Sequence, residues 1–237
     1  VGAETDVIRW GAERARTGPW RGDRRVAYLT PVPDAPSPSA GFVRRCCDQL
    51  AARGFTRVVT GALAPAEQGG FLAAGFEVEE ELHLLAHDLR DLPEATDAER
   101  ALRRARSADR PAVLAVDGTA FPPFWRLDDR GLDEALKATP NARFRVAADP
   151  EVFGYAVTGR AGRRGFLQRL AVAPERQSAG VGRALVLDGL RWLRRRRVER
   201  AVVNTQLRNE RALALYEGLG FRREPSGLTV LSAGLAR

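Results

Sequence analysis

Short clusters of hydrophobic positions flanked by polar ones make "DVIRW" (6–10) and "RRVAYLTPV" (24–32) read as strands, and a Gly- and Arg-rich connection separates them. The pattern then lengthens. "GFVRRCCDQLAARGF" (41–55) predicts a helix ended near Gly54, "TRVVT" a short strand, "APAEQGGFLAAGF" (64–76) a short helix ended near Gly75, and "EVEEELHLLAHDL" a strand. Residues 91–111 are polar, charged and partly helical, and make the best boundary. Beyond them the apolar run "AVLAVD" (112–117) reads as a strand. A loop and helical stretch follow in "FPPFWRLDDRGLDEALKAT", then strands in "FRVAA", "VFGYAVTGR" and "GFLQRLAVAP" (165–174). "GRALVLDGLRWLRRRRV" (182–198) is a helix with Val186, Leu190 and Leu193 on one face. "RAVVNT" is a strand, "NERALALYEGLGF" (209–221) a helix stopped by Gly220, and "LTVLSAGL" the closing strand.

Strands alternating with helices imply an α/β layer structure. The order also repeats. "RRVAYLTPVPDAPSPSAGFVRRCCDQLAARGFTRVVT…FLAAGF" runs parallel to "RGFLQRLAVAPERQSAGVGRALVLDGLRWLRRRRVERAVVN…YEGLGF", with Gly75-Phe76 answering Gly220-Phe221. Self-similarity of this length points to two related units, the first without its opening elements.

Composition narrows the class. Over 237 residues, 44% hydrophobic content supplies a packed core, and no apolar run reaches the eighteen residues of a membrane span. No signal-peptide pattern opens the sequence given. The adjacent pair Cys46 and Cys47 is no disulfide framework, so a reducing, cytoplasmic setting is expected. The net charge of +8 rests almost wholly on arginine, Lys137 being the single lysine. With the heavy use of Ala, Gly and Pro, this reads as the bias of a GC-rich genome. The surplus suits a small polyanion. The run "RWLRRRR" (191–197) reads as the solvated end of a helix, where cations favour the terminal carbonyls, so no nucleic-acid partner is expected. A salt titration with DNA would test that alternative.

The stretch "QSAGVGRAL" (177–185) is where chemistry concentrates. A strand ending "LAVAP" delivers the chain into "ERQSAGVG", which opens a helix. Helix N-termini carry unpaired N–H groups and a positive dipole end, and glycines let that backbone approach an anion. Several converging donors suit a pyrophosphate. Neither the dinucleotide-binding fingerprint nor the P-loop is present.

Three pieces in order and at spacing resemble the GNAT superfamily of acyl-CoA-dependent N-acetyltransferases. They are Val172 and Pro174 of "LAVAP", then Gln177, Gly180 and Gly182 of Q-x-x-G-x-G, then Asn209, Ala212, Tyr216, Gly220 and Phe221 of the last helix. The resemblance covers about residues 110–237. It implies a mixed sheet flanked by helices, preceded by a partial, degenerate unit of the same kind. The expected boundaries are 1–95 for that unit and 96–237 for the catalytic domain. It implies acetyl-CoA as co-substrate, no metal, and an amine acceptor attacking directly in a ternary complex. The pyrophosphate falls to the backbone of Gln177, Ser178, Ala179, Gly180, Val181 and Gly182, with Arg183 beside them. The thioester arm falls to Leu170, Ala171 and Val172, whose backbone would stabilise developing negative charge on the carbonyl oxygen. Asn209 would contact the cofactor and Tyr216 would protonate the leaving thiolate as general acid; plain packing of a half-buried Tyr is the competing explanation.

The pattern departs from the family in places. The strand before the loop carries Gln168 and Arg169 where many members have a glutamate base, which leaves Glu151, Asp149 or a water chain. Phe121, Phe124 and Trp125 form either an acceptor wall or core. In the first unit Pro36 and Pro38 remove N–H donors, Phe71 stands for Tyr216 and Ala64 for Asn209, so this copy is expected to frame the acceptor cleft without CoA chemistry. His83 and His87 share a side of its last strand and are expected to be ordinary surface histidines. The tandem arrangement also resembles the mycothiol synthases, which acetylate a small aminothiol conjugate, although the match beyond architecture is too thin to adopt that substrate. A CoA-binding sensor without turnover is the alternative function, and a homodimer is left open.

Overall fold

In a computed structural model of the protein, residues 6–33, 35–94 and 97–235 are described. The elements run β1 (Asp6–Trp10), β2 (Glu13–Trp20), β3 (Asp23–Pro31), α1 (Ala40–Ala52), β4 (Arg57–Thr60), α2 (Pro65–Ala73), β5 (Glu77–His87), β6 (Leu102–Arg104), α3 (Arg110–Ala120), α4 (Asp129–Lys137), β7 (Asn141–Ala148), β8 (Val152–Ala161), β9 (Arg164–Val172), α5 (Val181–Arg195), β10 (Arg200–Gln206), α6 (Glu210–Glu217), β11 (Arg222–Arg223) and β12 (Leu228–Gly234). They pack as two compact units. The first holds the described residues up to His83, with Gln206–Arg208 and those from Pro225 on; the second holds Leu84–Thr205 and Asn209–Glu224.

The strand order in the first unit is β1-β2-β3-β4-β12-β5. β3 and β4 are parallel, from Val26↔Arg57 to Leu29↔Thr60, with α1 in the crossover. Ser39 caps α1 by accepting the Phe42 N–H at 3.2 Å. The buried stripe Phe42, Val43, Cys46 and Leu50 lies over Leu29, Val58 and Phe71. Both cysteines are free, and burial pushes Cys46 up to about 12 and Cys47 to about 11, which keeps them as inert thiols. The "GG" inside α2 is explained by packing: a Cβ on Gly70 would stand 1.8 Å from the Pro38 carbonyl oxygen.

In the second unit the order is β5-β10-β9-β8-β7-β6, with β11 antiparallel to the end of β5. β9 and β10 are parallel, and β8 meets β9 antiparallel with a bulge between Val157 and Thr158. Val113, Val116 and Leu132 of α3 and α4 pack on Tyr155, Val157 and Ala171. Leu187, Leu190 and Leu193 of α5 pack with Val203, Leu213 and Tyr216. The arginine run ends α5 with Arg194–Arg197 exposed, as expected of a solvated helix end.

Three expectations are corrected. "AVLAVD" is not a strand but the middle of α3, whose buried residues Val113, Val116 and Asp117 fall at helical spacing; a short apolar run fits either period, and Pro111 in the first turn was the signal for a helix. The connection at 13–20 is itself strand β2, with Ala15 and Thr17 inward and Arg14 and Arg16 outward. Its inward residues are too small or polar to register as an apolar face, and it turns into β3 through Arg21 and Gly22, both at positive φ. His87 is buried, not on the surface: Nε2 lies 3.0 Å from the Leu219 carbonyl oxygen, Nδ1 accepts the Leu89 N–H at 2.7 Å, and the ring stands edge-on to Phe221.

The repeat is geometric as well as sequential. In α2 and α6 alike a glycine at φ +91 ends the helix, and the following Phe N–H returns to the carbonyl of Phe71 or Tyr216 at 3.1 Å.

Candidate active site

The β9–β10 ladder runs only from Arg200↔Arg164 to Val202↔Phe166, yet β9 continues to Val172 and β10 to Gln206. Past the paired stretch the edge of β9 borders a cleft of about 670 Å³, within the usual range of a small-molecule site. Leu170, Ala171 and Val172 form one side, Asn209, Arg211, Ala212 and Leu215 the other, and Gln177, Ser178, Gly180, Gly182 and Arg183 the end. Ala120 and Phe121 close it from the α3 side. Of the sequence-predicted binding residues, Ala179 and Val181 alone do not line the cleft; Val181 is buried beneath it with Ala184 and Leu185.

The end of the cleft is the N-terminus of α5. Gly180 sits at φ +78, a conformation that favours glycine, and Ser178 at φ +65, so the loop bends sharply twice before the helix starts. No side chain caps α5, and its first helical bond is Ala184 N–H to the Gly180 carbonyl at 2.9 Å. The N–H groups of Val181, Gly182 and Arg183 precede that bond and have no partner inside the helix. They carry the positive dipole end toward the cleft, where an anion would be held. Gln177 braces the loop: its Nε2 donates to the Val172 carbonyl at 2.9 Å and its Oε1 accepts from Arg211. Arg183 and Arg211 are the charged residues of the lining.

The equivalent end of α1 is already filled. Ser39 caps that helix with its own hydroxyl, and the Glu13 carboxylate accepts from the Ser39 N–H and, at 3.0 Å, from its Oγ. A carboxylate of the chain itself thus sits on the capping residue of α1, where the start of α5 has no side-chain cap.

Asn209 is the N-cap of α6, its Oδ1 accepting the Ala212 N–H at 3.1 Å. Tyr216 is 5% exposed, lies behind the lining with its ring 5.6 Å from Phe221, and receives no hydrogen bond at its hydroxyl from the described residues. Burial pushes its phenol well above the usual value, so it stays protonated. Glu151 and Asp149 are exposed; Glu151 borders a separate depression of about 520 Å³ with Arg103 and Asp109. No carboxylate or histidine lines the cleft, and no group of metal-ligating side chains occurs among the described residues.

Sequence reasoning missed one cluster. Asp117, fully buried in α3, accepts from Tyr155 Oη at 2.6 Å and from Arg169 Nε and Nη2 at 2.7 and 2.9 Å. A charged residue closing the apolar run "AVLAVD", and an arginine just before the apolar end "LAV" of β9, were its signals.

A parallel strand pair that opens beside the N-terminus of an uncapped, glycine-led helix places this cleft in an α/β fold. A sequence model described as the acetyltransferase (GNAT) family matches residues 103–221, half of the chain, and the protein belongs to that family. Among curated relatives, a mycothiol acetyltransferase of Acidothermus cellulolyticus is 33% identical over 138 residues, covering 48% of this chain and 42% of the relative. One of Amycolatopsis mediterranei is 32% identical over 197 residues, covering 74% and 64%. The chain thus spans less than half the length of the first of these relatives and under two thirds of the second. A tandem GNAT protein from the clavulanic acid biosynthesis pathway shares the fold at a TM-score of 0.66 and 14% identity, over 98% of this chain and 82% of the other.

Proposed function

We propose that the protein transfers an acetyl group from acetyl-CoA to the amine of a small aminothiol conjugate, the kind of acceptor suggested by relatives named mycothiol acetyltransferases. The observation that carries this reading is the cleft that ends on Gly182 and Arg183 at the uncapped start of α5. The backbone amides there, with Arg183 and Arg211, would hold the pyrophosphate. The unpaired edge of β9 at Leu170–Val172 would bind the arm and polarise the carbonyl. Acetyl-CoA supplies the activated acyl group. The acceptor nitrogen forms its bond to the acyl carbon as the carbon–sulfur bond breaks, and Tyr216, kept protonated by burial, would give its proton to the departing sulfur. The acceptor's own proton goes to solvent, since no carboxylate or histidine lines the cleft. The first unit, with Glu13 in its helix end, would carry no second site.

The test is acetyl transfer followed by thiol release and product mass across a panel of amines that includes capped aminothiols. N-acetylated aminothiol at saturating acetyl-CoA is expected. Tight CoA binding with no transfer to any amine would favour the CoA-sensor reading instead.

A further inference from the structure

We propose that Asp117 and Arg169 are positioning residues that clamp the segment 121–127 as the acceptor-side wall of the cleft, an inference that rests on the acetyltransferase reading above. The segment is tied to the pair at three points. Leu127 N–H donates to Asp117 Oδ1 at 2.7 Å, Arg169 Nη2 donates to the Trp125 carbonyl at 2.7 Å, and the guanidinium lies 3.5 Å from the centroid of Phe121. Phe121 is the part of the segment that lines the cleft, next to Ala120.

Phe121 and Leu127 also pack against the cluster of Val113, Val116 and Tyr155. Pro122 and Pro123 offer no N–H, and the segment's remaining backbone bonds are short-range, such as Trp125 N–H to the Pro122 carbonyl at 2.9 Å. Asp117 has its acceptor capacity filled by Tyr155, Leu127 and both bonds from Arg169. A bidentate arginine fixes orientation as well as distance, and a planar guanidinium can stack on a ring at the same time; an ammonium does neither. Arg169 directly precedes Leu170, the first β9 residue on the cleft. The clamp therefore sets the wall and the strand edge that would bear the thioester in one register. Misplacement of about 1 Å at such a site costs on the order of 100-fold in rate.

The experiment compares wild type with Arg169→Lys, Asp117→Asn, Phe121→Ala and Tyr155→Phe. The last removes a hydrogen bond to Asp117 without touching the segment. Acetyl-CoA affinity is read by calorimetry, steady-state constants with 2-(methylthio)ethylamine as the acceptor probe, and amide hydrogen exchange by mass spectrometry. In Arg169→Lys and Asp117→Asn, exchange across 121–127 should accelerate while that of α5 stays put. The KM for the amine should rise by roughly 10- to 100-fold with acetyl-CoA affinity held within about threefold. Phe121→Ala should raise the amine KM alone, and Tyr155→Phe should do neither. Unchanged exchange across 121–127 overturns the clamp whatever the acceptor. So does an unchanged amine KM in Phe121→Ala, which leaves the buried pair intact should the other variants fail to fold. Wild-type calorimetry reports separately on the acetyltransferase reading.

Discussion

Gly182→Pro isolates the cradle from the fold. Gly182 is the second residue of α5, and its N–H precedes the first intrahelical bond, made by Ala184. Proline is tolerated in the first turn of a helix, because the N–H it lacks is one the helix does not use. A Cβ at this position meets Leu215 at 3.4 Å and Val172 at 3.9 Å, ordinary contacts. The variant should thus fold with a melting temperature near that of wild type. Its effect on the ligand is the loss of one charge-assisted hydrogen bond, about 1.5–3 kcal/mol, or roughly 10- to 150-fold in the dissociation constant of acetyl-CoA. Gly180→Ala is the informative contrast. The nearest atom to its Cβ is 3.9 Å away, so space is no obstacle, but φ +78 is strained for any residue with a side chain, at a cost of about 1–2 kcal/mol. That variant should lose stability first and affinity with it. Calorimetry beside a thermal melt separates the two. A folded Gly182→Pro protein with wild-type affinity would mean that the loop is only a turn.

Calorimetry should also give about one acetyl-CoA site per chain, because Glu13 occupies the helix end of the first unit; two equal sites would refute the degenerate reading. His87 is held neutral, its pKa lowered from the ordinary 6.5 chiefly by burial. The unfolded chain therefore takes up a proton first as pH falls, so stability present above about 6.5 should decline below it, and His87→Gln should flatten that slope in melts between pH 7 and 5; an equally steep slope in the variant would assign it to other groups. Tyr216→Phe keeps the ring that packs on Phe221 and removes only the hydroxyl, so stability and acetyl-CoA affinity should hold while kcat falls by roughly 10²- to 10⁴-fold. Full turnover in a folded Tyr216→Phe protein would leave packing as the residue's whole role.

What could be read from the sequence follows from how local each signal is. The α5 stripe Val186, Leu190 and Leu193 is a periodic pattern of large apolar residues, and all three are buried. The helix ends at Gly54, Gly75 and Gly220 were visible because each glycine adopts a positive φ that few other residues take. β2 was hidden because its inward positions include Ala15 and Thr17, which close packing allows but a hydrophobic pattern does not reveal. α3 was misread because a run of five apolar residues satisfies two periods, and the local signal that selects the helix is Pro111 in its first turn.

The site divides along the same line. The candidate cradle is written in one stretch of chain, since a helix N-terminus and its glycine are neighbours in sequence, and Gln177, Ser178, Gly180, Gly182 and Arg183 of that stretch border the cleft. The Asp117–Arg169 pair is 52 residues apart in sequence, and nothing local to either residue names the other. Glu13 and Ser39 are 26 apart, so the anion that fills the first unit's helix end was equally hidden, and the prolines of "DAPSPSAG" pointed to a lost cradle for a different reason. Donor loss and self-occupation act together there: Pro36 and Pro38 thin the amides, and the capping serine and Glu13 take up the N–H groups of Phe42 and Ser39. An uncapped helix start is therefore informative in this protein because the same chain contains a capped one on the same topology.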